Sequence, residues 1–269
     1  MPATIHAGRF GPLLREWRLA RRLTQQALAE RAEISTRHLS FLETGRSQAS
    51  REMALVLGNA LELPLRERNL LLAAAGYVAA YRETSLEDAP MQHVRRALDR
   101  MLARQEPFPA MVLDRTWNLL RINDGGTRLF ARLLAGRAPR PDVFGNLAHA
   151  LFHPEGLRHV IVDWPDLAAA MAERLHRDAE ADPGAEGARA LRDAVLAYPG
   201  VPDALRRPGL GHLPPVATTL HLRAPDGGEA RLFIVLASIG TPVDVTADEL
   251  RVELYFPLDD ASDAFLCAC

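Results

Sequence analysis

Residues Leu23 to Arg46, LTQQALAERAEISTRHLSFLETGR, place two helix starts on either side of a very short turn. Thr24 caps a helix that turns Leu28 and Ala29 inward and leaves Gln25 and Gln26 at its exposed start. Ala32-Glu33-Ile34 follows as a turn, and Ser35 caps a further helix that buries Leu39 and Leu42 until Gly45 stops it. No other feature of the chain restricts its fold as strongly. Around it, Gly11-Pro12 supplies a cap and a first-turn proline for a helix carrying Leu13, Leu14 and Trp17 and ending near Arg22. Ser50 caps a fourth helix through Met53, Leu57 and Leu61, and Pro64 opens a fifth that ends at Gly76.

Five short helices in this order resemble the helix-turn-helix domain of phage repressors, over roughly residues 10 to 76. In that geometry the third helix lies in the major groove and its first turn and next exposed face read base edges. The resemblance therefore nominates Thr36, Arg37, Ser40 and Phe41 for base contact, with Arg37 suited to a guanine and Thr36 or Phe41 to a thymine methyl. Gln25, Arg46 and Arg51 are nominated for phosphate. Each has a competing reading: Arg37 as a solvated helix residue, Phe41 as cover for the fourth helix. Glu33 stands where many such turns have glycine, and a positive φ there is uncommon for any other residue.

Charge is distributed in a way that suits this assignment. All 32 basic residues are arginine, and residues 1–83 carry a balance of +4 while residues 84–269 carry −6. A modest basic head on an acidic body fits a polyanion-binding N-terminus. Apolar residues are 48% of the chain and no run approaches a membrane span, so a folded protein of the cytoplasm, with no membrane partner, is expected. Cys267 and Cys269 form a terminal CAC that offers neither a disulfide framework nor a metal spacing.

From Leu65 to Leu102 the pattern is helical apart from a break at ETSLEDAP, which sets the expected domain boundary: residues 8–83 and 91–269. Met91 to Arg104 forms a linking helix with Val94, Leu98 and Leu102 on one stripe, for internal packing or a dimer seam. Strands follow at Ala110–Leu113 and Trp117–Ile122, with a turn at Asp114-Arg115-Thr116 and Asn123 capping the next helix. After about ninety residues of helical pattern, VATTLHLR, ARLFIVLAS and LRVELYF supply three more strands, the last with Leu250, Val252, Leu254 and Phe256 on one side. The expected fold is thus a mainly α helix-turn-helix domain plus an α+β, PAS-like domain with an antiparallel five-stranded sheet. Such a sheet encloses a pocket against the intervening helices.

STRHLSFLETGR, SREM and PLRERNLLLAAAGY in the first part, with FHPEGLR, DWPDLA and GTPVDVTADELRVELYFP in the second, make the chain similar to the MmyB-like transcriptional regulators over nearly its full length. Glutamate at the position of Glu33 is in keeping with that family. The resemblance implies a regulator of metabolic or antibiotic-related genes and a fatty-acid-like effector; no cofactor is required.

For the effector, Trp117, Phe130, Phe152, Trp164 and Phe233 are candidates to line an apolar cavity, and Asn123 or Arg158 to hold a head group. Core packing, a helix cap and a salt bridge to Glu155 or Asp163 are the respective alternatives. HALFH sets His149 and His153 at a metal-like spacing but lacks the glutamate of a zinc-protease motif, and no phosphate loop or nucleophile elbow is present, so neither a metal nor an enzyme is expected. The resulting expectation is a homodimer that binds a pseudo-palindromic operator in double-stranded DNA under control of a hydrophobic small molecule. The alternatives are a constitutive DNA-binding protein whose second domain only dimerises or docks proteins, and a first domain that binds proteins instead of DNA.

Overall fold

The computed structural model describes residues 9–135, 138–180, 186–207 and 219–268. The chain divides into two units, one built on residues up to Thr84 together with 180–186 and 241–248, the other on 85–179, 187–240 and 249–269.

The first unit holds α1 (Phe10–Ala20), α2 (Gln25–Arg31), α3 (Thr36–Glu43), α4 (Arg51–Ala60) and α5 (Leu65–Ala74). Three starts are capped by the expected hydroxyls: Thr24 accepts from the Ala27 N–H at 3.0 Å, Ser35 from His38 at 3.1 Å and Ser50 from Met53 at 3.1 Å. All five helices end on a left-handed residue, Arg22, Glu33, Gly45, Glu62 or Gly76. At each, the next N–H reaches back five residues, as from Ile34 to the Ala29 carbonyl at 3.0 Å. Glu33 indeed has φ 53°, and its neighbour Ile34 packs on the core.

Leu14, Trp17, Leu28, Leu39, Leu42, Leu57, Leu61 and Leu71 are fully enclosed and form the centre of this unit. Each contributes about 1.5–3 kcal/mol of burial. Two local expectations need correction. Gly11 is not a cap but lies inside α1, where a Cβ would stand 2.4 Å from the Glu43 carbonyl oxygen, so it is there for the close crossing of α1 over the end of α3. The helical pattern also stops at Gly76, well before the expected break. Asn69 organises the following loop, accepting from the Ala80 and Tyr81 N–H groups and donating to the Tyr81 carbonyl.

Residues 241–248 belong to this unit although they lie late in the chain. Asp248, in α12 (Val245–Glu249), accepts from the Leu65 N–H at 2.9 Å and caps α5, whose own Pro64 offers no side-chain acceptor. Asp244 accepts from the Thr84 hydroxyl at 2.6 Å, and Val245 and Ala247 are buried.

The second unit begins with α6 (Gln92–Gln105) and continues through β1 (Ala110–Leu113), β2 (Leu119–Ile122), α7 (Asp124–Leu133), α8 (Pro141–Phe144), α9 (Leu147–Phe152), α10 (Trp164–Glu180) and α11 (Glu186–Leu196). It closes with β3 (Thr219–Arg223), β4 (Glu229–Ala237), β5 (Arg251–Pro257) and α13 (Asp260–Cys267). The five strands form one antiparallel sheet in the order β2-β1-β5-β4-β3. Of the expected strand VATTLHLR, residues 216–218 lie outside the described residues.

Trp117 is not in a strand. It sits in the β1–β2 turn with φ 67°, while Asp114 shapes that turn by accepting from Thr116 and Asn118. On β5, alternation sets Glu253 and Tyr255 opposite the expected apolar side of Val252, Leu254 and Phe256. Both Glu253 and Tyr255 are nonetheless buried, because the helices of the block between β2 and β3 cover that face of the sheet.

Candidate DNA-binding face and effector cavity

On α3, Leu39, Leu42 and Glu43 are buried, which leaves Thr36 and Arg37 exposed and Ser40 and Phe41 half-buried on the other side. Arg37 and Phe41 are one helical turn apart, and the guanidinium carbon lies 5.3 Å from the ring centroid. Arg46 and Arg51 are exposed beyond the helix end. Gln25 has a more specific placement than the sequence suggested. Its amide donates to Glu43 Oε2 at 2.8 Å, and the same carboxylate takes two bonds from Arg18, at 2.7 and 3.0 Å. Arg18 also donates to the Leu23 carbonyl at 2.8 Å. This buried network ties α1, α2 and α3 together and fixes the orientation at which α3 presents its exposed face.

In the second unit a cavity of ≈ 110 Å³ lies between α10 and the inner face of the sheet. Leu147, Leu151, Leu167, Met171, Leu220 and Ile234 give it apolar walls. One end is polar. Trp117 is buried and its indole N–H has no acceptor among the described residues. The Arg174 guanidinium stacks 4.2 Å from the Trp117 ring and stands 3.8 Å from Glu253 Oε1. Tyr255 donates its hydroxyl to Glu253 Oε2 at 2.7 Å.

A family model of the MmyB-like transcription regulator ligand binding domain matches residues 94–268, and one of a helix-turn-helix domain matches residues 9–71. The chain belongs to the MmyB-like transcription regulators. It pairs a helix-turn-helix domain with the ligand-binding domain of a transcription regulator. Among curated proteins nothing matches. Among solved structures the chain is similar to an RNA-binding light-oxygen-voltage receptor, at 13% identity and a TM-score of 0.28, over 97% of this chain and 64% of that one. The chain thus spans just under two thirds of that receptor's length. Among the described residues no helix is long and apolar enough to cross a membrane.

Of the seven effector residues expected from sequence, Trp117 lines this cavity in the MmyB-like domain and the other six do not. Asn123 is a structural cap: its Oδ1 accepts from Gly126 and Ala110, and its Nδ2 donates to the Phe108 carbonyl. Arg158 stacks on Trp164 and donates to the Pro199 and Gly200 carbonyls instead of pairing with Glu155 or Asp163. Phe152 packs edge-on to Trp164, Phe130 edge-on to Phe144, and Phe233 falls on the opposite face of β4 from Ile234. His149 bonds through Nδ1 to the Tyr198 hydroxyl at 2.7 Å, and no group of three metal-ligating side chains occurs among the described residues.

Arg174, Glu253 and Tyr255 are the cavity residues that sequence reasoning missed. A glutamate on a strand between Val252 and Leu254 was the one available signal.

Burial pushes the Glu253 carboxyl above the ordinary glutamate range, against the opposing pull of Tyr255, Arg174 and Arg251. The native state therefore binds this proton more tightly than the unfolded chain. Stability falls as pH rises from the unfolded glutamate value through the folded one. Replacing Glu253 by Gln removes that loss, so the stability difference between variant and wild type should move in the variant's favour as the pH is raised from about 4 to about 8. Thermal melts across this range check it; a gap independent of pH would contradict the assignment.

Proposed function

We propose that this regulator binds its operator as a homodimer and that a small apolar effector in the cavity beneath α10 sets its affinity for DNA. The observation that carries the proposal is the cavity itself, apolar along its walls and polar at one end. Trp117 lines the cavity and its buried indole N–H lacks an acceptor among the described residues, a polar group that a ligand oxygen would satisfy. At ≈ 110 Å³ the space is smaller than the roughly 300–1,000 Å³ of sites for drug-sized molecules, which favours a short-chain amphiphile, fatty-acid-like in build.

Two helix-turn-helix heads on one dimer would meet half-sites about 34 Å apart, giving a pseudo-palindromic operator. The effector changes affinity only by as much as it discriminates between DNA-competent and incompetent states. Denaturing mass spectrometry of extracts from the purified protein, followed by DNA titration with and without the recovered molecule, tests the proposal. A stoichiometric apolar molecule that changes operator affinity supports it. A molecule that binds without altering DNA affinity would leave a constitutive DNA-binding protein with a dimerisation or docking module.

At the DNA end, Arg37→Ala is expected to cost about 1–3 kcal/mol on the operator and little on random sequence. Arg46→Ala and Arg51→Ala should weaken all sequences alike and each flatten the salt slope by about one. Competition titrations at several salt concentrations separate these outcomes. Unchanged operator binding by Arg37→Ala would remove α3 from base recognition.

A further inference from the structure

The polar end of the cavity carries a chemical requirement of its own. Resting on the effector reading above, we infer that the cavity takes an amphiphile whose oxygen-bearing head enters uncharged, as an amide, an alcohol or an undissociated acid, and that Glu253 is the residue that excludes the anion.

The Trp117 indole N–H is a donor without a partner among the described residues, and Arg174, stacked on the same ring, offers only donors. A head group near them must accept. Glu253 asks for the opposite. One of its oxygens takes the Tyr255 hydroxyl at 2.7 Å, while the other faces Arg174 at 3.8 Å, an ion-pair separation too long for a hydrogen bond. The side chain of Glu253 is 4% exposed, so water does not readily complete its bonding. A head that accepts from Trp117 and donates to Glu253 satisfies both. An amide, a hydroxyl or a protonated acid can do this, whereas a carboxylate only accepts.

Charge points the same way. Arg174 is the inner cation of the cavity, and Glu253 already stands against it. Of the other charged groups nearby, Arg251 is paired with Asp178 at 3.1 Å, and Arg177 is exposed in the cavity wall. The strand neighbours of Glu253 are Met111 on β1 and Leu236 on β4, which bring no charge. A second carboxylate at this end would have to share Arg174 with Glu253, since Arg251 is already paired with Asp178 and Arg177 lies out in solvent.

The test is calorimetric titration of the full chain with hexanamide and with hexanoate at about pH 8. Wild type is expected to hold the amide at least about tenfold more tightly, since a site built around hydrogen bonds rejects a head that cannot complete them. Glu253→Gln should improve hexanoate about tenfold and move hexanamide less than about threefold. In wild type, hexanoate should tighten as the pH falls toward 5 while hexanamide stays level, a readout that does not depend on the variant folding. Equal affinity of the two ligands for wild type at pH 8 would overturn the inference and leave the effector proposal standing. So would hexanoate binding that is lost in Arg177→Ala and unmoved in Glu253→Gln, which would put the head at the exposed arginine. No binding of either ligand under any condition would overturn both the inference and the reading of this cavity as the effector site.

Discussion

Glu43→Ala should destabilise the DNA-binding unit by about 3–5 kcal/mol, enough to unfold much of it at ordinary temperature. Glu43 is 6% exposed, and its carboxylate takes two bonds from Arg18 and one from Gln25. Removing it strands the Arg18 guanidinium, itself 6% exposed, with the Leu23 carbonyl as its one remaining bonded acceptor in this network. The cost comes from the abandoned charge more than from the lost attraction. The double replacement of Arg18 by Met and Glu43 by Leu should therefore recover most of the stability, since apolar substitutes of similar volume often match a buried pair. Operator binding should fall in the single variant even where it remains folded, because the network orients α3 from α1 and α2. Urea denaturation followed through the first transition, with DNA titration alongside, reads both effects. A single variant within 1 kcal/mol of wild type would show that the network does not hold these helices.

Gly11→Ala should be the second most damaging change, against the usual trend. Alanine in place of glycine inside a helix normally stabilises by about 1 kcal/mol. Here the added Cβ would stand 2.4 Å from the Glu43 carbonyl oxygen and 2.6 Å from that of Leu42. Both obstacles are backbone, so no side-chain rotation relieves them and α1 must move off α3. A net loss of about 3 kcal/mol is expected, at the upper end of what overpacking costs. Gly58→Ala is the control. Its Cβ would meet the flexible Arg68 side chain, with Cγ at 3.2 Å, so the helix-propensity gain should survive there. If Gly11→Ala melted no lower than wild type, the close crossing of α1 and α3 would be wrong.

Several features were legible because they are written in neighbouring residues. Thr24, Ser35 and Ser50 cap the helices they precede, and Glu33 occupies the left-handed turn position. Each is a short-range matter of a hydroxyl reaching an N–H three residues on, or of a backbone angle at one site. The apolar run at Ala110–Leu113 and the one-sided pattern of the last strand likewise needed no distant information.

The cavity was not legible in that way. Asn123 and Arg158 looked like head-group ligands by residue type, but the fold uses one as a cap and the other to hold a loop carbonyl. Arg174, Glu253 and Tyr255 come from α10 and β5, far apart in the chain, and they meet only when helices cover the inner face of the sheet. The capping of α5 by Asp248, 183 residues from Leu65, is of the same kind.

By itself, the sequence determined the capped starts of α2, α3 and α4, the presence of five strands in an α+β domain, and which family the motifs belong to. Those are properties of local hydrogen bonding, side-chain periodicity and motif order. Tertiary structure alone decided that a glutamate on an alternating strand is buried beside an arginine and an unpaired indole. Burial on both faces of a strand depends on what packs over it, and no periodicity within the strand records that.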